Sequence, residues 1–121
     1  MGLDQYAYIA GKADSEYYDL SKQDLAYWRK HPNLHGWMEK LAEEKGIEYT
    51  TFNGVELELT WEDVDRLEKD IKSGVVAELG TRGFFFGGPS DHHYYEYDLE
   101  FCVNAKAELF LGRKVFYNSS W

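Results

Sequence analysis

Two stretches concentrate the side chains that could do chemistry. Tyr27 to Trp37 reads YWRKHPNLHGW, and Arg82 to Tyr97 reads RGFFFGGPSDHHYYEY. Between them they hold all four histidines, His31, His35, His92 and His93, and two of the four tryptophans. Imidazoles next to carboxylates can hold a metal or move a proton, and rings next to guanidinium groups can bind an anion or a protein. The metal reading centres on His92 and Glu96, four residues apart. His92 and His93 diverge by about 100° on a helix and cannot easily share one ion. A tetrahedral site would still need His31 or His35, and no H-E-x-x-H spacing is present, so we expect no metal and no cofactor. Acid–base work would pair His31, His35 or His93 with Asp4 or Glu96.

Nucleophilic catalysis has little to stand on. Cys102 is the only cysteine and falls on an apolar helical frame, where a free thiol acts as a small hydrophobe. No serine sits in a G-x-S-x-G turn. GTRGFFFGG, from Gly80 to Gly88, has neither the G-K-[ST] ending of a P-loop nor the G-x-G-x-x-G spacing. The more productive reading is a contact surface. Tyr27, Trp28, Arg29, Lys30, His35, Arg82, Phe85, His92, His93 and Tyr95 are the expected binding residues. No catalytic residue is expected. A partner protein is the first expected occupant. A small anionic aromatic ligand of the nucleotide kind is the second, with guanidinium on phosphate and rings on the base. A small hydrolase or metal-dependent enzyme is the third.

Charge narrows the partners. The chain carries 22 acids against 13 bases, a net charge of −9. Residues 33–80 hold twelve acids and five bases, or −7, and the flanking thirds are each −1. Such a middle third repels phosphate backbones, which argues against nucleic acid. A lone cysteine fits a reducing compartment. No basic region followed by an apolar run marks a signal peptide, and no apolar run is long enough to span a bilayer.

The elements that must position these residues follow from periodicity. One domain of α+β class is expected over residues 1–121, a mostly antiparallel sheet with about three helices packed against it. Leu3 to Ile9 alternates as a strand, with Leu3, Gln5, Ala7 and Ile9 on one face. Gly11 to Asp19 reads as a loop. Asp24 to Arg29 is compatible with a second strand. Pro32 opens a helix to about Lys45 with Leu34, Trp37, Met38 and Leu41 inward, and Gly46 stops it. Asn53-Gly54 predicts a hairpin over Glu48 to Leu59. Thr60 caps a second helix with Asp63 completing a capping box, and Trp61, Val64, Leu67 and Ile71 form its buried face. Val75 to Leu79 reads as a short strand, and Gly80 to Asp91 as a glycine-rich loop. A third helix runs from Ser90 or Asp91 to about Leu111, with Leu99, Cys102, Val103, Lys106 and Phe110 on one face. Val115 to Tyr117 reads as an edge strand that could self-pair into a homodimer.

The opening MGLDQYAY, the block Tyr27-Trp28-Arg29-Lys30 with His35 and Trp37, and Gly83 to Gly87 together resemble an uncharacterised protein family of tailed bacteriophages. The resemblance covers Gly2 to about Leu109. Similar phage proteins are sometimes labelled phosphoglycerate kinase, but 121 residues cannot build a two-lobed kinase and no nucleotide loop is present. The resemblance implies a phage origin and action in the cytoplasm of the infected bacterial host, and it assigns no catalytic residue. The resulting expectation is a phage-encoded accessory binding protein that modulates a host protein.

Overall fold

The computed structural model describes residues 3–10, 23–78 and 94–121. The expected loops at Gly11–Asp19 and Gly80–Asp91 lie outside them, and so do Arg82, Phe85, His92 and His93.

Four strands, β1 (Asp4–Ala10), β2 (Gln23–Arg29), β3 (Leu57–Leu59) and β4 (Lys114–Ser120), form one antiparallel sheet in the order β2-β1-β4-β3. Three long helices, α1 (Pro32–Glu44), α2 (Trp61–Lys72) and α4 (Tyr94–Phe110), pack against it, with a short helical turn α3 (Val75–Glu78) between the last two. The domain is α+β, as the periodicity predicts. Alternation along β1 buries Gln5, Ala7 and Ile9, because successive side chains of a strand point to opposite faces. Trp28 of β2 and Val115 and Tyr117 of β4 join them in a core with Leu34, Trp37, Met38 and Leu41 of α1. On the other alternation, Tyr6 meets Tyr27 at 5.4 Å, and Tyr8 stacks on Phe116 at 5.5 Å.

Local signals set the helix limits. Pro32 stands at the first position of α1, where its missing N–H costs nothing. Thr60 Oγ1 accepts from the Asp63 N–H at 3.2 Å, and Asp63 Oδ2 accepts from the Thr60 N–H at 2.9 Å, the reciprocal cap its spacing predicts.

Trp61, expected on the buried face of α2, is exposed, and only Val64, Leu67 and Ile71 of that face are buried. Four further expectations fail, each for a visible reason. The hairpin over Glu48 to Leu59 is absent; only Leu57–Leu59 is a strand, and it pairs with β4. Asn53-Gly54 does turn, with Gly54 at φ 76°. The Gly54 N–H donates to Ser119 O at 2.8 Å, and the Asn53 amide exchanges hydrogen bonds with the Trp121 backbone. The turn is therefore fastened to the end of β4, while Phe52 drops into the core against Tyr117 and His35. The described part of the expected strand at Val75 to Leu79 is not a strand. It is the turn α3, which buries Val76, and the Val76 carbonyl accepts from Asn33 Nδ2 at 2.9 Å. Val115 to Tyr117 is no edge: β4 is seven residues long and lies between β1 and β3. Val115 to Tyr117 already has a strand on each side.

The fourth failure concerns α4. Cys102 is inward as expected and Leu99 packs against the core, but the buried face is centred on Asp98, Phe101, Cys102 and Ala105, and Val103 and Phe110 face solvent. The helix is turned so that a carboxylate points into the core, where Trp28 and His31 meet it.

Candidate functional site

The two aromatic stretches meet, through the segments Tyr27–His35 and Tyr94–Asp98. β2 ends at Arg29, and Lys30 follows with φ 59° and donates its N–H to Leu3 O at 2.8 Å. That left-handed residue turns the chain off the sheet and aims His31 inward under the start of α4. The His31 ring lies flat against Tyr94, 4.5 Å between centroids at 8°. His31 Nε2 is 2.6 Å from Asp98 Oδ2, and the Trp28 indole donates to Asp98 Oδ1 at 2.8 Å. His31, Asp98 and Trp28 are all buried. Both carboxylate oxygens thus have partners, as a buried acid requires.

A second polar cluster abuts the first. Gln5 accepts from the His31 N–H at 2.9 Å through Oε1 and donates through Nε2 to His31 O and to the Tyr117 hydroxyl, both at 3.1 Å. The Tyr117 hydroxyl lies 2.7 Å from His35 Nδ1. Burial pushes the Tyr117 phenol well above its ordinary range and lowers His35 from 6.5 to about 4, against the opposing pull of a backbone hydrogen bond with Phe52. His35 is therefore neutral at pH 7, and Nδ1 accepts the Tyr117 proton while that oxygen accepts from Gln5. Among the described residues no buried side-chain N or O atom lacks a partner.

Two binding residues read from sequence are therefore interior. Trp28 is sealed in the core and His35 is buried between Tyr117 and Phe52. Their polar atoms are hydrogen-bonded inside the core, to Asp98 and to Tyr117. Tyr27, Arg29, Lys30 and Tyr95 are exposed, and Tyr97 joins them. Tyr97 Oη accepts from the Tyr27 N–H at 3.0 Å; Tyr94 Oη accepts from the Arg29 N–H at 3.1 Å and donates to Arg29 O at 2.5 Å. These are the outward backbone groups of an edge strand, so tyrosine hydroxyls occupy positions that another strand would take. Tyr27 in turn donates to Asp4 Oδ1 at 2.7 Å, which raises its phenol pKa.

The site thus has two layers, an exposed rim of Tyr27, Arg29, Lys30, Tyr95 and Tyr97 on a buried mount of Trp28, His31 and Asp98. The expected acid–base partners differ: His31 pairs with Asp98, and His35 with Tyr117, instead of Asp4 or Glu96. No group of three or more metal-ligating side chains gathers among the described residues. Cys102 is buried and its thiol is pushed up to about 12, mainly by desolvation, which leaves it a poor nucleophile. Sequence reasoning missed Gln5, Asp98, Tyr97 and Tyr117. Gln5 had a signal, as a polar residue on the inward alternation of β1. Asp98 had one too: it lies three residues before Phe101 and four before Cys102, which places it on their helical face.

No family model, no curated protein and no solved structure matches this chain. No helix among the described residues is long and apolar enough to cross a membrane.

Proposed function

We propose that the protein is an accessory binding protein, phage-encoded and acting in the cytoplasm of the infected bacterium, that modulates a host protein. The observation that carries the binding reading is the exposed rim at the β2 edge. Tyrosines supply large contact area at low entropic cost, and Arg29 adds a planar cation. Part of the rim is already held in place: Tyr97 accepts from the Tyr27 N–H, Asp4 accepts from the Tyr27 hydroxyl, and Tyr94 donates to the Arg29 carbonyl. Preorganisation of this kind lowers the entropic cost of association. Phage origin and host setting rest on the resemblance in the opening, the YWRK block and the GFFFG segment.

A small anionic ligand is the second reading. Arg29 and Lys30 are adjacent and exposed beside Tyr27 and Tyr95 in a chain that is otherwise strongly acidic.

The experiment is retention of host proteins from infected lysate on the tagged full chain, with Arg29→Ala and Tyr95→Ala in parallel, plus native mass spectrometry of the purified protein. A host protein held by wild type and lost from both variants supports the reading. Retention that is the same in all three removes it. A small anionic mass that leaves with Arg29→Ala selects the second reading.

A further inference from the structure

The far end of α4 carries a second surface. Val103, Ala107, Phe110 and Leu111 stand at i, i+4, i+7 and i+8, the spacing of a stripe that a helix normally buries. Here it faces water. Phe110 is 83% exposed, Val103 59% and Leu111 53%. Trp61, at the start of α2, is 45% exposed and lies beside this end of the helix, with Lys106 Nζ 5.3 Å from its ring centroid. Phe110 is one turn beyond Lys106. About 24 Å of helix separates Phe110 from Tyr94, so this surface is distinct from the tyrosine rim.

The surrounding charge is one-sided. Lys106 is held by Asp65 and Glu68, both at 2.8 Å, Lys45 by Asp63 at 2.5 Å, and Arg113 by Glu108 at 2.6 Å. Glu62, in the first turn of α2, and Glu100, one turn before Val103, enter no such pair among the described residues. The last turn of α4 has no basic residue, so the negative end of the helix dipole adds to the field. Large apolar side chains inside an acidic rim fit a partner that brings apolar groups and positive charge together. A second copy of this chain would bring another −9.

We infer that Trp61, Val103, Phe110 and Leu111 form a docking surface for a cationic amphipathic segment of a partner protein, with the apolar side chains as anchors and Glu62 and Glu100 as the steering rim. The surface stands independently of the rim at β2.

The test uses the full chain and a labelled synthetic helix of about 18 residues made only of leucine and lysine. Fluorescence anisotropy should show saturable binding. Phe110→Ser should weaken it about tenfold or more, and Glu62→Lys with Glu100→Lys should weaken it and flatten its salt dependence. A leucine–glutamate helix should not bind. Arg29→Ala should bind as wild type does, which separates this surface from the one proposed above. Phe110 is so exposed that its replacement leaves the core untouched, and circular dichroism checks this. Failure of the leucine–lysine helix to bind, or equal binding to Phe110→Ser, would overturn the inference. So would a wild-type dimer in sedimentation equilibrium that Phe110→Ser dissolves, since a second copy would then be the occupant.

Discussion

Lowering the pH should destabilise this protein through His35 before its carboxylates matter. The imidazole is buried against Phe52 and Tyr117, and its pKa falls from 6.5 to about 4. A histidine with a depressed folded pKa stays neutral in the native state while the unfolded chain takes up a proton. Stability is then complete above about pH 6.5 and is lost as the pH falls toward 4, because the unfolded state binds more protons across that window. A tenfold difference in proton affinity between the two states is worth about 1.4 kcal/mol, so going from pH 7.5 to pH 5 should remove about 2 kcal/mol. The carboxylates with lowered pKa values, Glu44, Asp63, Asp65 and Glu68, lose their stabilisation by the same linkage but only near and below their ordinary values of 3.8 and 4.5. The assay is urea unfolding followed by tryptophan fluorescence at several pH values, in wild type and in His35→Asn. Asparagine keeps an acceptor near Nδ1 but cannot titrate. With a urea slope of about 2 kcal/mol per molar, the wild-type midpoint should drop by about 1 M across the window. The variant will be less stable at every pH, since it loses the ring contacts, but its midpoint should stay nearly level. Parallel lines for the two proteins would show that His35 is not the group that titrates and that the buried reading of its ring is wrong.

Two further outcomes follow from the same interior. Asp98→Ala leaves the Trp28 indole and the His31 ring without their buried partner and should cost about 3–5 kcal/mol. Asp98→Asn can still accept from one of them and should cost about 1–2 kcal/mol; equal losses in urea midpoints would argue against a paired mount. Tyr94→Phe with Tyr97→Phe removes the hydroxyls that cover the outward N–H groups of Tyr27 and Arg29. The double variant should self-associate more strongly than wild type in sedimentation velocity, and an unchanged profile would show that the hydroxyls do not guard this edge.

The sequence makes the fold class readable because its strongest periodic segments are locally consistent. β1 alternates from Asp4 to Ala7, α1 starts at Pro32, and the Thr60–Asp63 pair marks the start of α2. The errors fall where a distant partner overrides a local signal. Asn53-Gly54 carries a strong hairpin preference, yet Ser119 and Trp121, more than sixty residues on, take its hydrogen bonds. Val115 to Tyr117 reads as a short edge, but pairing with β1 on one side and β3 on the other makes it internal. Nothing within a few residues of either segment records those partners.

The site was half readable for a related reason. Clustered rings and cations are visible in any sequence, but their exposure depends on which strand face and which helix frame they occupy. Trp28 and Tyr27 are adjacent, and strand alternation alone sends one into the core and the other to solvent. The helix frame of α4 is harder, because apolar residues occur around most of its circumference. The expected frame through Leu99, Cys102, Val103 and Phe110 shares Cys102 with the observed one through Phe101, Cys102 and Ala105 and is as apolar. Hydrophobicity does not separate them; hydrogen bonding does. Asp98 can be buried only where Trp28 and His31 both reach it, and in water the same carboxylate would need neither. Burying it fixes the rotation of α4, and that rotation places Tyr94 over His31 and sends Val103 and Phe110 outward. One buried acid therefore sets the tyrosine rim at one end of the helix and the apolar surface at the other, so loss of Asp98 should disturb both surfaces together.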